Sequence, residues 1–305
     1  MAADRLSAVR DLLAAGPVVL DGGLSTALED RGHDLSTSLW SARLVGQAPG
    51  EVVAAHRAFV DAGAQVVIGA SYQMSYDGYR VAGLDDARCD ADLDASVRLA
   101  REAAGDRALV AASVGPYGAH RADGSEYTGY PEVTTARLRA FHARRLERLL
   151  ATEPDLLACE TLPEVREAEV LTGLLADLAP DMPYWLSFSA TSGGRLTGGA
   201  PFADAVATAS GACVAVGVNC TAPALVDGLL ESASPAVPFV VYPNSGAAYD
   251  PDGKTWTDEG TPVFAAPVVR GWRERGAALL GGCCGTSAAG VAAVASALRA
   301  SDQGA

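Results

Sequence analysis

The segment Ala277-Ala278-Leu279-Leu280-Gly281-Gly282-Cys283-Cys284-Gly285-Thr286 joins a short apolar run to an adjacent cysteine pair. The apolar run predicts a buried strand, and the glycines on both sides of the cysteines predict tight turns. Far upstream, Val216-Gly217-Val218-Asn219-Cys220 has the same construction, an apolar run that stops at a cysteine. If both runs are parallel strands of one sheet, Cys220, Cys283 and Cys284 converge at one edge of that sheet.

Three interpretations of the cysteine pair remain open at this point. Free cysteine is among the most buried residue types, so Cys283 and Cys284 can be small core residues. A disulfide between adjacent residues is less favoured because it forms only with strain. Three thiolates with a fourth position left open are typical of catalytic zinc sites, since structural sites are usually closed by four protein ligands.

The composition limits the function classes. The chain has 305 residues, about half of them apolar, which suits either two ordinary domains or one α/β barrel. A net charge of −14 makes nucleic acid and membrane partners unfavourable. Six cysteines are too few for a disulfide scaffold, and the N-terminal segment is amphipathic, unlike a signal peptide. A cytoplasmic protein is therefore expected.

Eight short apolar runs recur along the chain. Their hydrophobicity is continuous rather than alternating, which is typical of parallel strands covered on both faces. The runs are 17–20, 65–70, 108–113, 155–160, 184–188, 214–219, 238–242 and 277–282.

Segments of helical periodicity separate these runs, including Glu164 to Ala179 and Pro131 to Leu150. Strict alternation of strand and helix without a linker predicts a single (β/α)8 barrel domain over residues 1–305, with an extra N-terminal helix around Arg5 to Ala15. The alternative is a doubly wound open sheet, but the turn Asp21-Gly22-Gly23-Leu24 lacks the glycine spacing of a dinucleotide site.

Active sites of such barrels lie at the carboxyl ends of the strands. The residues predicted there include two acids, Asp21 and Glu160, and no Lys, Arg or His, which favours a bound amine over a phosphate or a Schiff base. The strand ends read Asp21-Gly22, Ala70-Ser71-Tyr72-Gln73, Gly115-Pro116-Tyr117, Glu160-Thr161, Ser189-Ala190, Asn219-Cys220, Tyr242-Pro243-Asn244 and Cys283-Cys284.

The longest connections follow the first three predicted strands, and loops of this length are usually functional. Leu24 to Gln47 contains Trp40, and Pro116 to Tyr130 is rich in Gly and Tyr. The four histidines, His33, His56, His120 and His142, are predicted in loops or helices rather than at strand ends, so none is placed to activate a nucleophilic cysteine. His56 and His142 are interpreted as solvated helix residues.

Taken together, these motifs closely resemble the zinc-dependent homocysteine S-methyltransferases over nearly the whole chain. The motifs are Leu20-Asp21-Gly22-Gly23, Leu39-Trp40-Ser41-Ala42, Ala70-Ser71-Tyr72-Gln73, Cys159-Glu160-Thr161, Gly217-Val218-Asn219-Cys220 and Gly281-Gly282-Cys283-Cys284-Gly285-Thr286.

The resemblance implies a (β/α)8 barrel that transfers a methyl group to homocysteine and forms methionine. It implies one Zn²⁺ per chain on Cys220, Cys283 and Cys284, and homocysteine bound by residues that include Asp21 and Glu160. Gly22, Ser71 and Asn219 complete the expected homocysteine site. No catalytic residue is expected beyond the metal-activated thiolate of the substrate.

The resemblance favours a sulfonium donor, S-methylmethionine before S-adenosylmethionine. Trp40 in the first long loop, and Tyr72 and Tyr117 after the second and third strands, are expected to hold the sulfonium by cation–π attraction. Folate and cobalamin modules are not expected, because the chain continues only about twenty residues past the cysteine pair. Alternatives are a betaine-dependent or selenol-directed member of the same family, a non-catalytic zinc-binding barrel and a cysteine hydrolase. A monomer or small homo-oligomer is expected.

Overall fold

The computed structural model describes residues 2–35, 39, 41–246, 249–250, 255–256 and 263–302. Eight parallel strands form its central sheet. They are β1 (Val18–Val19), β2 (Val66–Ile68), β3 (Leu109–Val114), β4 (Leu156–Leu162), β5 (Tyr184–Phe188), β8 (Cys213–Asn219), β9 (Phe239–Tyr242) and β12 (Ala277–Leu280).

The sheet runs in the order β1-β12-β9-β8-β5-β4-β3-β2 and closes on itself. Closure is made by a parallel bridge from Leu20 to Val66 and by the Gln65 N–H, which donates to the Val19 carbonyl at 2.8 Å. The prediction of a (β/α)8 barrel is confirmed, and the open doubly wound sheet is ruled out. The strands β1, β2, β9 and β12 are one to three residues shorter than the predicted apolar runs, whereas β4 and β8 are one residue longer. The last residues of the first, second and eighth runs already belong to the loops above the barrel.

Helices surround the barrel and connect its strands. They are α1 (Ala2–Ala15), α2 (Leu24–Glu29), α3 (Ala42–Gln47), α4 (Pro49–Asp61), α5 (Tyr76–Val81), α6 (Asp86–Ala104), α7 (Thr135–Ala151), α8 (Val165–Leu178), α9 (Phe202–Val206), α10 (Pro223–Glu231), α11 (Ala266–Glu274) and α12 (Ala288–Asp302). Two small antiparallel ribbons, β6 (Ala190–Thr191) with β7 (Arg195–Leu196) and β10 (Tyr249–Asp250) with β11 (Thr255–Trp256), lie in connections.

The core has two layers, as expected for strands that are buried on both faces. The larger one lies between the sheet and the helices. The smaller one fills the barrel interior with residues such as Leu20, Ala111 and Trp185, and Val9 of α1 packs against it. The predicted extra helix therefore covers the amino-terminal end of the barrel and leaves the carboxyl ends of the strands for the site.

The connection after β1 differs from the predicted loop, because it contains α2 and α3. The interpretation of His56 and His142 as solvated residues was wrong, since both side chains are fully buried. His142 Nε2 lies 2.7 Å from Glu167 Oε1, so α7 and α8 share a buried polar pair that helical periodicity does not reveal. Among the described residues, no helix combines the length and apolar character needed to cross a membrane.

Candidate metal centre

Three cysteine sulfurs converge at the carboxyl ends of β8 and β12. Their Sγ atoms lie within 4.8 Å of one another. Cys284 Sγ is 3.9 Å from Cys220 Sγ and 4.0 Å from Cys283 Sγ, while Cys220 and Cys283 form a disulfide. The three cysteines therefore converge as predicted. The disulfide links the ends of β8 and β12, and the adjacent residues Cys283 and Cys284 are not bonded to each other.

Backbone hydrogen bonds hold the loop after β12 in place. The Cys283 N–H donates to the Pro243 carbonyl at 2.8 Å, and the Ser245 N–H donates to the Cys284 carbonyl at 3.0 Å. These bonds tie the cysteine pair to the loop after β9. On the other side, the Gly23 N–H donates to the Thr286 carbonyl at 3.0 Å, which ties the pair to the loop after β1.

Glycine is required where the loops after β1 and β12 touch. A Cβ atom on Gly22 would lie 2.6 Å from the Thr286 carbonyl oxygen and 2.7 Å from Cε1 of Phe59. Contacts this short do not occur for real side chains, so any larger residue here would push the two loops apart. The small residues of the Asp21-Gly22-Gly23 turn thus allow the loop that carries Cys283 and Cys284 to pack closely against the loop after β1.

The sulfur separations fit a tetrahedral metal. Zinc–sulfur bonds of about 2.3 Å place two sulfurs of one tetrahedron about 3.8 Å apart, close to both distances from Cys284. Opening the Cys220–Cys283 disulfide would supply the third thiolate. Burial is the main cause that raises the pKa of Cys284 to about 12, and the charges of Glu160, Glu29 and Glu126 contribute to this rise. The thiol is therefore protonated at neutral pH unless a cation is bound beside it.

Glu160 lies at the carboxyl end of β4 and is 7% exposed. Its Oε1 accepts a hydrogen bond from the Ser113 hydroxyl, and its Oε2 accepts one from the Tyr242 hydroxyl at 3.1 Å. Burial raises the pKa of Glu160 to about 7, although both hydroxyls favour the ionised form. A carboxyl group that is half ionised at neutral pH suits a site that binds a cation.

Asp21 lies at the end of β1 and is 2% exposed. Its Oδ2 accepts from the Ile68 N–H at 2.7 Å, whereas its buried Oδ1 has no hydrogen-bond partner among the described residues. Burial raises the pKa of Asp21 well above its usual value, and the charge of Glu160 adds to this effect. Two buried carboxyl groups that repel each other are available to one positively charged group.

The remaining predicted substrate residues are already hydrogen-bonded within the protein. The Ser71 hydroxyl donates to the Ser113 carbonyl at 2.7 Å, which leaves its oxygen only as an acceptor. The Asn219 amide is bonded to Thr161 through both ends, since its Oδ1 accepts from the Thr161 N–H and its Nδ2 donates to Thr161 Oγ1, each at 2.7 Å. In this structure Asn219 therefore holds the end of β4, where Thr161 has a φ of +60°.

Two of the predicted donor residues, Tyr72 and Tyr117, are described by the structure. Tyr72 is half-buried after β2 and is hydrogen-bonded to Thr161, beside Glu160. Tyr117 is 7% exposed, and its ring packs within 5.4 Å of Phe141 and Tyr130, with Arg121 at 5.0 Å. Its role as a donor contact stays a prediction. Trp40 lies outside the described residues.

Comparison with known proteins shows the family to which the chain belongs. The family model described as homocysteine S-methyltransferase matches residues 18–298. Homocysteine S-methyltransferase 4 of Zea mays is 43% identical over 311 residues, covering 94% of this chain and 90% of its own length. The chain belongs to the homocysteine S-methyltransferase family.

Solved structures of a family member extend the comparison. The homocysteine methyltransferase MmuM from Escherichia coli, in its metallated form, matches with a TM-score of 0.83 and 38% identity, covering 94% of this chain and 99% of MmuM. Its oxidised form matches with a TM-score of 0.82 and 39% identity, covering 92% and 95%. The E. coli homocysteine methyltransferase thus exists both with metal and oxidised, and the disulfide in the present structure leaves only one of the three clustered cysteines as a free thiol.

Sequence reasoning missed the residues that orient Glu160 in this homocysteine S-methyltransferase barrel. The Trp185 Nε1–H donates to the Tyr242 hydroxyl oxygen at 3.0 Å, and Ser187 Oγ lies 2.5 Å from the same oxygen. These side chains point into the barrel from β5 and β9, so they meet Glu160 across the interior. The only signal for them was a hydroxyl or indole on apolar strands, which does not identify a partner.

Proposed function

We propose that this protein transfers a methyl group from a sulfonium donor to the thiolate of homocysteine and forms methionine, with one Zn²⁺ held by Cys220, Cys283 and Cys284. The observation that carries the proposal is the cluster of three sulfurs at the barrel mouth, next to two buried carboxyl groups. Family membership supports the acceptor, while the donor and the metal are inferred from the chemistry of the site.

Binding of homocysteine is assigned to the carboxyl groups. Asp21 Oδ1 has no partner within the described protein, and Glu160 is held in one orientation by Ser113 and Tyr242. The substrate ammonium group supplies the positive charge that these two acids lack. The substrate carboxylate is assigned to the backbone around Gly22 and Ser71, since the Ser71 proton is already donated.

The reaction needs a thiolate, because a free thiol with a pKa near 8.5 is only a few per cent ionised at pH 7. When bound, zinc would coordinate the homocysteine sulfur as a thiolate and keep it nucleophilic. The sulfur lone pair forms a new bond to the donor methyl carbon, and the old carbon–sulfur bond breaks. Its electron pair stays on the donor sulfur, which leaves as a neutral thioether, so no general base is needed.

Features of the chain disfavour the alternatives. None of the four histidines, all described, lies at a strand end: His142 contacts Glu167, His120 contacts the Tyr117 carbonyl and His56 is buried in α4. A cysteine hydrolase would lack its base. A metal-storage barrel would have no use for Asp21 and Glu160. The reducing cytoplasm is the compartment we propose, because it keeps the three thiols available.

Mass spectrometry of the products tests the proposal directly. Reduced, zinc-loaded protein is incubated with homocysteine and, in turn, S-methylmethionine, S-adenosylmethionine, betaine or methyl-folate, and methionine is quantified. Methionine should form fastest with S-methylmethionine, more slowly with S-adenosylmethionine and not with methyl-folate. Faster turnover with betaine than with either sulfonium would overturn the donor assignment, and one zinc per chain without methionine formation would favour the storage barrel.

A further inference from the structure

Glu126 lies in the connection between β3 and α7, residues 115–134. This connection folds into two short 3-10 turns, Tyr117–Arg121 and Ser125–Tyr127. Ser189 directly follows β5. Its hydroxyl donates to the backbone carbonyl of Glu126 at 3.0 Å and also lies 2.7 Å from Thr197 Oγ1. Glu126 is thereby attached to the carboxyl end of a barrel strand, on the same side of the barrel as the cysteine cluster.

The Glu126 side chain is partly buried and has no basic partner among the described residues. Its Oε2 is inaccessible and has no hydrogen-bond partner, and no described Arg or His lies within ion-pair distance of it. Two buried acids away from the barrel mouth each have a basic partner: Asp92 with Arg88 at 2.7 Å, and Glu167 with His142 at 2.7 Å. Burial raises the pKa of Glu126, because its carboxylate loses hydration there, and a bound cation would compensate for this loss.

Tyr72 links Glu126 to the proposed substrate site. Burial is the main cause that raises the pKa of the Tyr72 hydroxyl, and the charges of both Glu126 and Glu160 raise it further. Tyr72 is thus near two acids. Asp21 and Glu160 are assigned to the homocysteine ammonium, which leaves Glu126 as a third acid at the mouth with no assigned cation.

We propose that Glu126 binds the α-ammonium group of an amino-acid sulfonium donor, so that the connection 115–134 selects the donor. The inference rests on the proposed function and deepens it. An ammonium group brings both a positive charge and three N–H donors to the carboxylate, whereas the quaternary nitrogen of betaine has no N–H. The geometry therefore favours S-methylmethionine over donors without a primary amine.

Steady-state kinetics on the full-length, zinc-loaded protein with the Glu126→Gln substitution tests this. Two donors are compared: S-methylmethionine, which carries the ammonium group, and the trimethylsulfonium ion, which does not. We expect the KM for S-methylmethionine to rise about tenfold or more, the usual loss for a hydrogen bond to a charged group. The KM for trimethylsulfonium and for homocysteine should stay within about twofold of wild type, because neither depends on this contact.

Glu132→Gln is the matched control. It removes a carboxylate from the same connection, but Glu132 is 61% exposed and paired with Arg121 at 2.8 Å, so all three KM values should be unchanged. Calorimetric titration of S-methylmethionine into each protein without homocysteine gives a readout that does not need turnover, and thermal unfolding verifies that each variant is folded.

The outcomes separate the inference from the proposed function. If wild-type protein forms no methionine from either sulfonium, the proposed function fails. If wild type is active but Glu126→Gln binds S-methylmethionine normally, the inference alone is overturned. An equal rise in KM for both donors would place the carboxylate at the sulfonium centre, and a rise for homocysteine would place it at the acceptor. Either result would overturn the ammonium assignment.

Discussion

Two hydroxyl groups from different strands hold Glu160, Ser113 on β3 and Tyr242 on β9. With a pKa of about 7, the carboxyl group becomes neutral as the pH falls below 7 and then loses its attraction for an ammonium group. We expect the KM for homocysteine to rise on acidification through pH 7. In Glu160→Gln this step should disappear, because the amide has no charge to lose.

Glu160→Gln and Asp21→Asn should each weaken homocysteine binding by about 1.5–3 kcal/mol, the value of a hydrogen bond to a charged group. The expected rise in homocysteine KM is about tenfold or more, and zinc content should stay constant, as measured by elemental analysis. Loss of the metal at unchanged homocysteine affinity would contradict the ammonium assignment.

The three clustered cysteines should differ from the other cysteines in their effect on zinc binding and activity. Replacing Cys220, Cys283 or Cys284 by Ala should abolish zinc binding and methyl transfer together, while circular dichroism remains that of the folded barrel. These residues lie in loops above the barrel, so their loss leaves the core intact. Cys159→Ala is the matched control, since Cys159 is a buried thiol on β4 outside the cluster. This variant should bind zinc as the wild-type protein does. Full activity in any one cluster variant would contradict the ligand assignment.

Individual residues also show where sequence reasoning stops. The positions of Cys220 and Glu160 followed from one rule, that strand ends of a barrel face one side. The inaccessible Oε2 of Glu126 could not be predicted, because a single acid in a Gly-rich loop is usually solvated. The packing of Tyr117 against Phe141 was not predicted either, because position after a strand does not reveal whether a ring faces the mouth or packs against a helix.

At the level of elements, the loops after β1, β9 and β12 form one support for the metal centre. They are joined through backbone hydrogen bonds at Gly23, Cys283 and Ser245, so displacement of one loop moves the cysteines. Such a network has no signature in composition, since backbone groups of any residue can make it. The helices around it were easier to predict, because α7 and α8 repeat apolar residues with helical period.

Gly22→Ala tests this support. The new methyl group would meet the Thr286 carbonyl and Phe59, so the loop after β1 must move away from the loop that carries Cys283 and Cys284. We expect weaker zinc binding, measured by competition with a chelator, together with lower activity. Gly50→Ala, in α4 with no atom within 4 Å of the added carbon, should bind zinc as wild type does. Equal zinc affinity in the two variants would contradict the role of the loop contact.

For the whole molecule, eight apolar runs separated by helical segments were sufficient to predict the closed barrel. What they could not predict was the chemistry across the interior, such as Trp185 and Tyr242 meeting Glu160, because side chains from non-adjacent strands meet only after closure. Assignment of residues 1–305 to a single domain stays a prediction. The excess of negative charge is consistent with a cationic donor, since a sulfonium with an ammonium and a carboxylate carries a net positive charge.

The disulfide between Cys220 and Cys283 also affects the stability of the whole folded protein. Cys220 and Cys283 are 63 residues apart in sequence and follow different barrel strands, so their bond closes a long loop in the unfolded chain. In the chain-entropy model a loop of this length stabilises the folded state by about 4 kcal/mol. Oxidised protein should therefore unfold at a higher temperature than reduced, metal-free protein. It should also be inactive and unable to bind zinc, because two of the proposed ligand thiols are bonded to each other.

Differential scanning calorimetry with and without reductant, in the presence of a chelator, measures this difference. Cys284→Ala keeps the bonded pair and should show the same gain on oxidation, whereas Cys220→Ala leaves only adjacent cysteines in the cluster, which close no long loop, and should show none. Activity should return only when both reductant and zinc are added, because two of the three proposed ligands are oxidised in the disulfide. Equal unfolding temperatures for the oxidised and reduced wild-type proteins, or recovery with zinc alone, would contradict this account.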